Sequence, residues 1–116
     1  MRAAQLFLDG HDVGVAVAVA ETARERMRGL LGRDHLPADE ALLLKRCGSV
    51  HTFGMRFAID VVFLNRSQRI LAIHHGVPRR RVLLDLRAAQ TLEMPAGAAR
   101  RHRLAVGNCL AFKAVS

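Results

Sequence analysis

The chain has 116 residues, of which 51% are apolar, 4% aromatic and 24% charged, and 18 Lys and Arg against 10 Asp and Glu leave a formal net charge of +8. The length fits a single domain, residues 1–116, and the apolar half is enough to close a core, which excludes a second domain and a disordered chain. Two cysteines, Cys47 and Cys109, exclude a disulfide scaffold, and no Cys-x-x-Cys pair or His-rich tract points to structural zinc.

Along the chain, residues 4–8 alternate weakly and end at Asp9-Gly10, a dipeptide suited to a type I′ hairpin turn. The apolar stretch before Asp9 is too short for a signal-peptide core, and no run approaches the roughly 20 residues of a membrane span. The expectation is a cytoplasmic protein without a span. Val13, Val15, Val17 and Val19 then fall on one face of a strand whose other face is Gly and Ala. Thr22-x-x-Glu25 is a capping box, so a short helix is predicted near residues 22–30, with Ala23, Met27, Leu30 and Leu31 toward the core. Residues 41–44 read as a buried strand. From Phe57 to Leu64 the chain is apolar on both faces, as a central strand would be. Asn65–Gln68 turns it into a partner at 70–73, after which His74-His75 starts a loop leading to the exposed Arg79-Arg80-Arg81.

Residues 82–86 fit a strand or a helix equally. Residues 91–93 read as a strand, Pro95–Gly97 as a turn, 98–103 as one helical turn, and 109–112 as a last strand after Gly107-Asn108. The predicted fold class is mainly β, a β-rich α+β protein: about seven short strands in a small distorted barrel or sandwich, with one short helix and no βαβ rhythm.

Four motifs in this order resemble a known prokaryotic family: Thr22-x-x-Glu25-Arg26-x-x-Gly29-Leu30, Met55 followed by Ile59-Asp60-Val61-Val62-Phe63, Leu92-Glu93-x-Pro95-x-Gly97, and Gly107. The family is the one called domain of unknown function 192, and the likeness covers about residues 13–112. It implies a compact β-rich fold with a short helix, and no established activity, substrate or cofactor. Cys47-x-Ser49-Val50-His51-Thr52-x-x-Met55-Arg56 resembles one subgroup of it. The chain departs from the common pattern at Phe53-Gly54-Met55, where many members carry Trp-Met, at Ala41-Leu42-Leu43-Leu44, where many have Gly-Met-Leu-Phe, and at Asn108, which stands where an Asp is usual.

Five residues are candidate ligand contacts: Cys47, His51, Thr52, Arg56 and Asp60. Asp60 shares its strand face with Ala58 and Val62, so its carboxyl points into an apolar layer and needs a proton, a cation or several N–H donors. Its structural reading is a tie from strand to helix or loop, with Arg26 as one partner; its functional reading is a base or ligand anchor. Cys47, His51 and Met55 share strand parity and would suit a soft metal. Residues four apart on a straight strand are too distant for one ion, however, unless the backbone bends at Gly48 or Gly54. Cys47, His51 and Asp60 are also the types of a nucleophile, base and orienter, though no nucleophile elbow accompanies them. Glu93, just before Pro95, reads as a partner for turn amides or an Arg.

The leading reading is a non-enzymatic ligand-binding or interaction module with a cleft near the His51–Asp60 segment and no catalytic set, metal or cofactor. Arg56 would favour a small anionic ligand or acidic peptide. The rival class is an enzyme or metal-binding protein using Cys47, His51 and Asp60. A weaker one is nucleic-acid binding through the Arg-rich loops 79–81 and 100–103, which the lack of Trp and Tyr disfavours.

Overall fold

Asp9 and Gly10 both hold positive φ, 46° and 87°, as a type I′ turn requires, and they join β1 (Arg2–Leu8) to β2 (His11–Ala20) in antiparallel register. The computed structural model describes residues 1–115. Beyond the hairpin come α1 (Ala23–Arg28), β3 (Glu40–Lys45), β4 (Ser49–His51), β5 (Ile59–Leu64), β6 (Ile70–Val77), β7 (Val82–Leu84), β8 (Gln90–Pro95), α2 (Ala98–Arg101) and β9 (Leu110–Ala114).

Seven strands form one sheet in the order β6-β5-β8-β3-β2-β1-β9, and β4 with β7 forms a separate two-stranded ribbon. The mainly-β expectation holds, but the large sheet does not close into a barrel. Its two edges meet only at one corner, through an isolated Arg69–Cys109 bridge flanked by bonds from Ile70 N to Asn108 O (2.9 Å) and from Leu110 N to Gln68 O (2.9 Å). One βαβ unit is present, contrary to the reading of a chain without such a crossover: β2 and β3 run parallel and α1 lies between them in sequence.

The curled sheet divides the core in two. Its inner face carries Leu6, Val15, Val17, Val19, Leu43 and Leu92, with α2 laid against it through the buried Ala98 and Ala99. The valine alternation of β2 is therefore expressed as expected. The outer face carries Leu42, Leu44, Ile59, Val61 and Phe63, covered by Leu30, Leu36, Val50 and Met55. β5 is buried at all six positions, as a central strand covered on both sides must be.

The capping box of α1 is formed. The Thr22 hydroxyl accepts from Glu25 N, and the Glu25 carboxylate accepts from Thr22 N (3.1 Å) and Glu21 N (3.0 Å). These amides, Thr22 first, hold the Glu25 carboxyl down at about 2. The core face expected for this helix differs. Met27 is exposed and no residue within α1 is buried; the apolar anchor is Leu30, just past the helix. Six residues are too few to present a stripe, so the turn after the helix reaches the core instead. His74 and His75 also differ from expectation, being exposed members of β6 rather than a loop, because the strand runs on to pair Val77 with Ile59.

Asp60 is fully buried on the inner face beside Met94, its partner across β8. A bulge in the β5–β6 ladder releases the amide of Gly76, which donates to Asp60 Oδ1 at 2.8 Å. Gly97 N and Ala99 N, at the start of α2, donate to Oδ2 at 3.1 and 3.0 Å. One carboxylate thus ties β5 to an edge strand and caps a helix that has no side-chain cap of its own. The tie anticipated from the sequence is present, but backbone amides make it rather than Arg26, whose guanidinium donates to Glu21 O instead. Asp60→Asn is expected to cost about 3 kcal/mol of unfolding free energy, since a charge-assisted acceptor is lost and an amide donor is set against N–H groups. Urea titration measures this, and a midpoint unchanged from wild type would contradict the tie.

Candidate functional site

Glu93 lies at the centre of the sheet, opposite Leu42 on β3 and Val61 on β5. Strand alternation puts its side chain on the outer face, away from Asp60. It is 3% exposed, and burial pushes its carboxyl up to about 7, with no hydrogen bond or neighbouring charge among the described residues offsetting the loss of water. The sequence reading of Glu93 as a partner for turn amides or an Arg is therefore not realised.

The carboxyl opens into a recess of about 60 Å³. Its walls come from Gly29, Leu30 and Leu31 after α1, and from Cys47, Val50 and Met55 across from them, with Arg26 and Arg28 also lining it. Gly29 makes this arrangement possible. Its φ of 47° and ψ of −124° belong to a region held almost only by glycine, and its amide closes α1 on Glu25 O at 2.9 Å. A Cβ there would be 3.8 Å from Glu93 Oε1, an ordinary contact, so conformation rather than space demands the glycine.

The opposite wall is pinned by β8 itself. The Thr91 hydroxyl donates to Cys47 O at 2.8 Å, and Cys47 N donates to Ala89 O at 3.2 Å. Gly48 permits the close approach that follows, because a Cβ on it would be 2.9 Å from Asp85 O and 3.0 Å from Ala88 O. β4 ends at His51 and the chain bends at Gly54, where φ is 80°, which returns Met55 to the core.

Cys47, His51 and Met55, expected on one face from their parity, consequently line one recess. The Cys47 thiol donates to Ser49 O at 3.0 Å, and both cysteines are free. Among the described residues no three His, Cys, Asp or Glu side chains are grouped to hold a metal ion. The other three candidates stand elsewhere. Thr52 is buried, donating to Pro78 O (2.7 Å) and accepting from Arg81 N (2.9 Å), so it fastens the 78–81 loop to the end of β4. Arg56 is exposed and paired with Asp34. Asp60 faces the other side of the sheet. A Cys47–His51–Asp60 set is therefore not assembled.

A wider cleft of about 300 Å³ opens on the inner side, between Ala4, Val19, Leu43 and Phe112, with Arg2, Lys45 and Gln68 also lining it. Arg2 there is engaged with Glu21 at 2.6 Å. Among the described residues no buried acid or nucleophile lines that cleft, whereas Glu93 and Cys47 line the smaller recess.

An antiparallel-rich sheet curled around one core, with a covered outer face, defines a class of small mainly-β domain. The family model of domain of unknown function 192, described as "Uncharacterized ACR", matches residues 4–112, and the chain belongs to that family. No curated protein matches it in sequence. Two solved structures share the fold. One is a protein of unknown function from Novosphingobium aromaticivorans, with a TM-score of 0.81 and 18% identity over 94% of this chain and 84% of that one. The other is a protein from Sinorhizobium meliloti described as a "putative transcription regulator", with a TM-score of 0.85 and 20% identity over 95% of this chain and 93% of that one.

Glu93 binds its proton more tightly folded than unfolded. Its ionisation therefore costs no stability below the ordinary value of 4.5; the cost grows from there as pH rises to about 7 and is complete above that. The full cost is on the order of 3 kcal/mol. Glu93→Gln is expected to flatten this fall, giving a variant more stable than wild type at about pH 8 and similar at about pH 4. Unfolding midpoints across that range check it, and parallel curves for the two proteins would contradict it.

Proposed function

We propose that the chain is a non-enzymatic ligand-binding module whose site is the recess over Glu93. The observation that carries this reading is a carboxyl buried at the middle of a sheet, unpartnered among the described residues and opening into a recess. A purely structural site would favour an apolar residue or a satisfied one, as at Asp60. Strain of this kind is retained where a ligand supplies the missing partner.

The recess has room for about two water-sized groups, so it takes the end of a molecule rather than the whole. That end carries a hydrogen-bond donor for Glu93, such as an amide, hydroxyl or ammonium group. Arg28 on the lining offers a complementary charge to an anionic group on the same ligand, in place of the role expected for Arg56. The rest of the molecule lies over Ser49, Val50 and His51, which border the recess. These wall residues belong to the Cys47-x-Ser49-Val50-His51-Thr52 stretch, and we propose that this stretch marks a subgroup of the family to which the chain belongs.

A second reading, an enzyme acting through Cys47 and His51, is favoured by their presence on one lining. Cys47→Ser separates the two, since a binding module keeps its affinity and a thiol enzyme loses turnover. The binding reading is tested by amide NMR shifts on adding a panel of small amides, amino acids and amino alcohols. Signals of Gly29, Cys47 and Val50 are expected to move, and Glu93→Leu, its fold checked by the dispersion of its own amide spectrum, is expected to abolish the movement. No shift at these residues, or shifts that survive Glu93→Leu, would remove the reading.

A further inference from the structure

The β4–β7 ribbon presents a face that none of the described residues covers. Its register sets His51 opposite Val82 and Ser49 opposite Leu84, and Val82 and Leu84 are 67% and 64% exposed. Phe53, 50% exposed, tilts its ring toward His51 at 6.3 Å between centroids, and Leu86, two residues beyond the ribbon, is 91% exposed. Apolar side chains of this size, gathered on one small element, mark an interaction surface rather than ordinary surface scatter.

The residues that lead into this face are cationic. Arg79, Arg80 and Arg81 lead directly into β7, are exposed, and form no ion pair among the described residues. Arg81 is held in place by its backbone, whose amide donates to Thr52 Oγ1 at 2.9 Å and whose carbonyl accepts from Thr52 N at 2.8 Å. Asp85, the first acid after the ribbon, is already engaged by Arg87 at 2.8 Å.

We infer that this ribbon is a peripheral docking surface for an anionic lipid bilayer, with Phe53, Val82 and Leu84 entering the acyl boundary while Arg79–Arg81 meet the headgroups. Shallow apolar insertion beside a cluster of cations is the combination that holds proteins at such surfaces, each signal being weak alone. Two of the three inserted side chains are aliphatic and offer no π face to nucleic-acid bases, which favours hydrocarbon over a nucleic-acid strand. A second copy docked face to face would bring two arginine clusters together, which opposes self-association through this surface.

The test is co-sedimentation of the full chain with vesicles of phosphatidylcholine alone or mixed with phosphatidylglycerol. Binding is expected to the mixed vesicles only and to weaken as salt rises. Val82→Ser with Leu84→Ser, which leaves the charge unchanged, is expected to reduce partitioning at least about tenfold. Replacement of Arg79, Arg80 and Arg81 by Gln is expected to reduce it about a hundredfold. Glu93→Leu is expected to bind vesicles like wild type, which keeps this result separate from the recess. Three outcomes would overturn the inference: equal binding to both vesicle types or to neither, duplex DNA preferred over anionic vesicles, or a dimer that the serine variant dissolves.

Discussion

Two strands at the middle of the sheet, β5 and β8, are covered on both faces, and every polar side chain they carry has to be accommodated without water. Asp60 and Glu93 sit on these neighbouring strands and point to opposite sides. The inward one gathers three backbone amides, fixing the bulge in β6 and the start of α2 together. The outward one gathers none and is left beside a recess. This asymmetry separates a satisfied carboxylate from an unsatisfied carboxyl, although both residues are acids in apolar surroundings.

Much of the architecture is legible in the letters. The valine alternation of β2, the Asp9-Gly10 turn, the Thr22–Glu25 box and the continuous apolar run of β5 each follow from local chemistry, and each is realised. What cannot be read there depends on contacts between distant segments. The parallel pairing of β2 with β3 is set by the sheet's order, which no local pattern specifies. Residues 82–84 are ambiguous alone because their partner, β4, has only three residues and supplies no strong period. Met27 fits a core position by spacing, yet a two-turn helix anchored by Leu30 leaves it in solvent.

The candidate site is partly legible. Cys47 and His51 do border one recess, whereas Thr52, Arg56 and Asp60 are drawn off by partners the sequence does not identify. Glu93 escapes a sequence reading because the Pro95-x-Gly97 turn after it suggests a local hydrogen-bonding role. The signal that could have found it is parity: Glu93 shares its face with Thr91 in a strand whose cross-strand neighbours, Leu42 and Val61, are aliphatic. A departure from the family pattern also has a physical account. Asn108 donates to Asp9 Oδ2 at 3.2 Å while accepting from Ala105 N at 2.8 Å, a pair of roles that an ionised aspartate could not fill.

The pairing of β1 with β9 has a consequence for how the domain is made. Residues 4–8 align with 110–114, so the domain's first strand to leave the ribosome finds one of its two neighbours only when almost the whole domain has been synthesised. Until then β1 is an open edge, able to pair with any extended chain nearby. The corner formed by Asp9, Asn108 and Cys109 closes that edge last. Nascent chains of this protein are therefore exposed to chaperones and to misassociation through a strand that the finished molecule conceals.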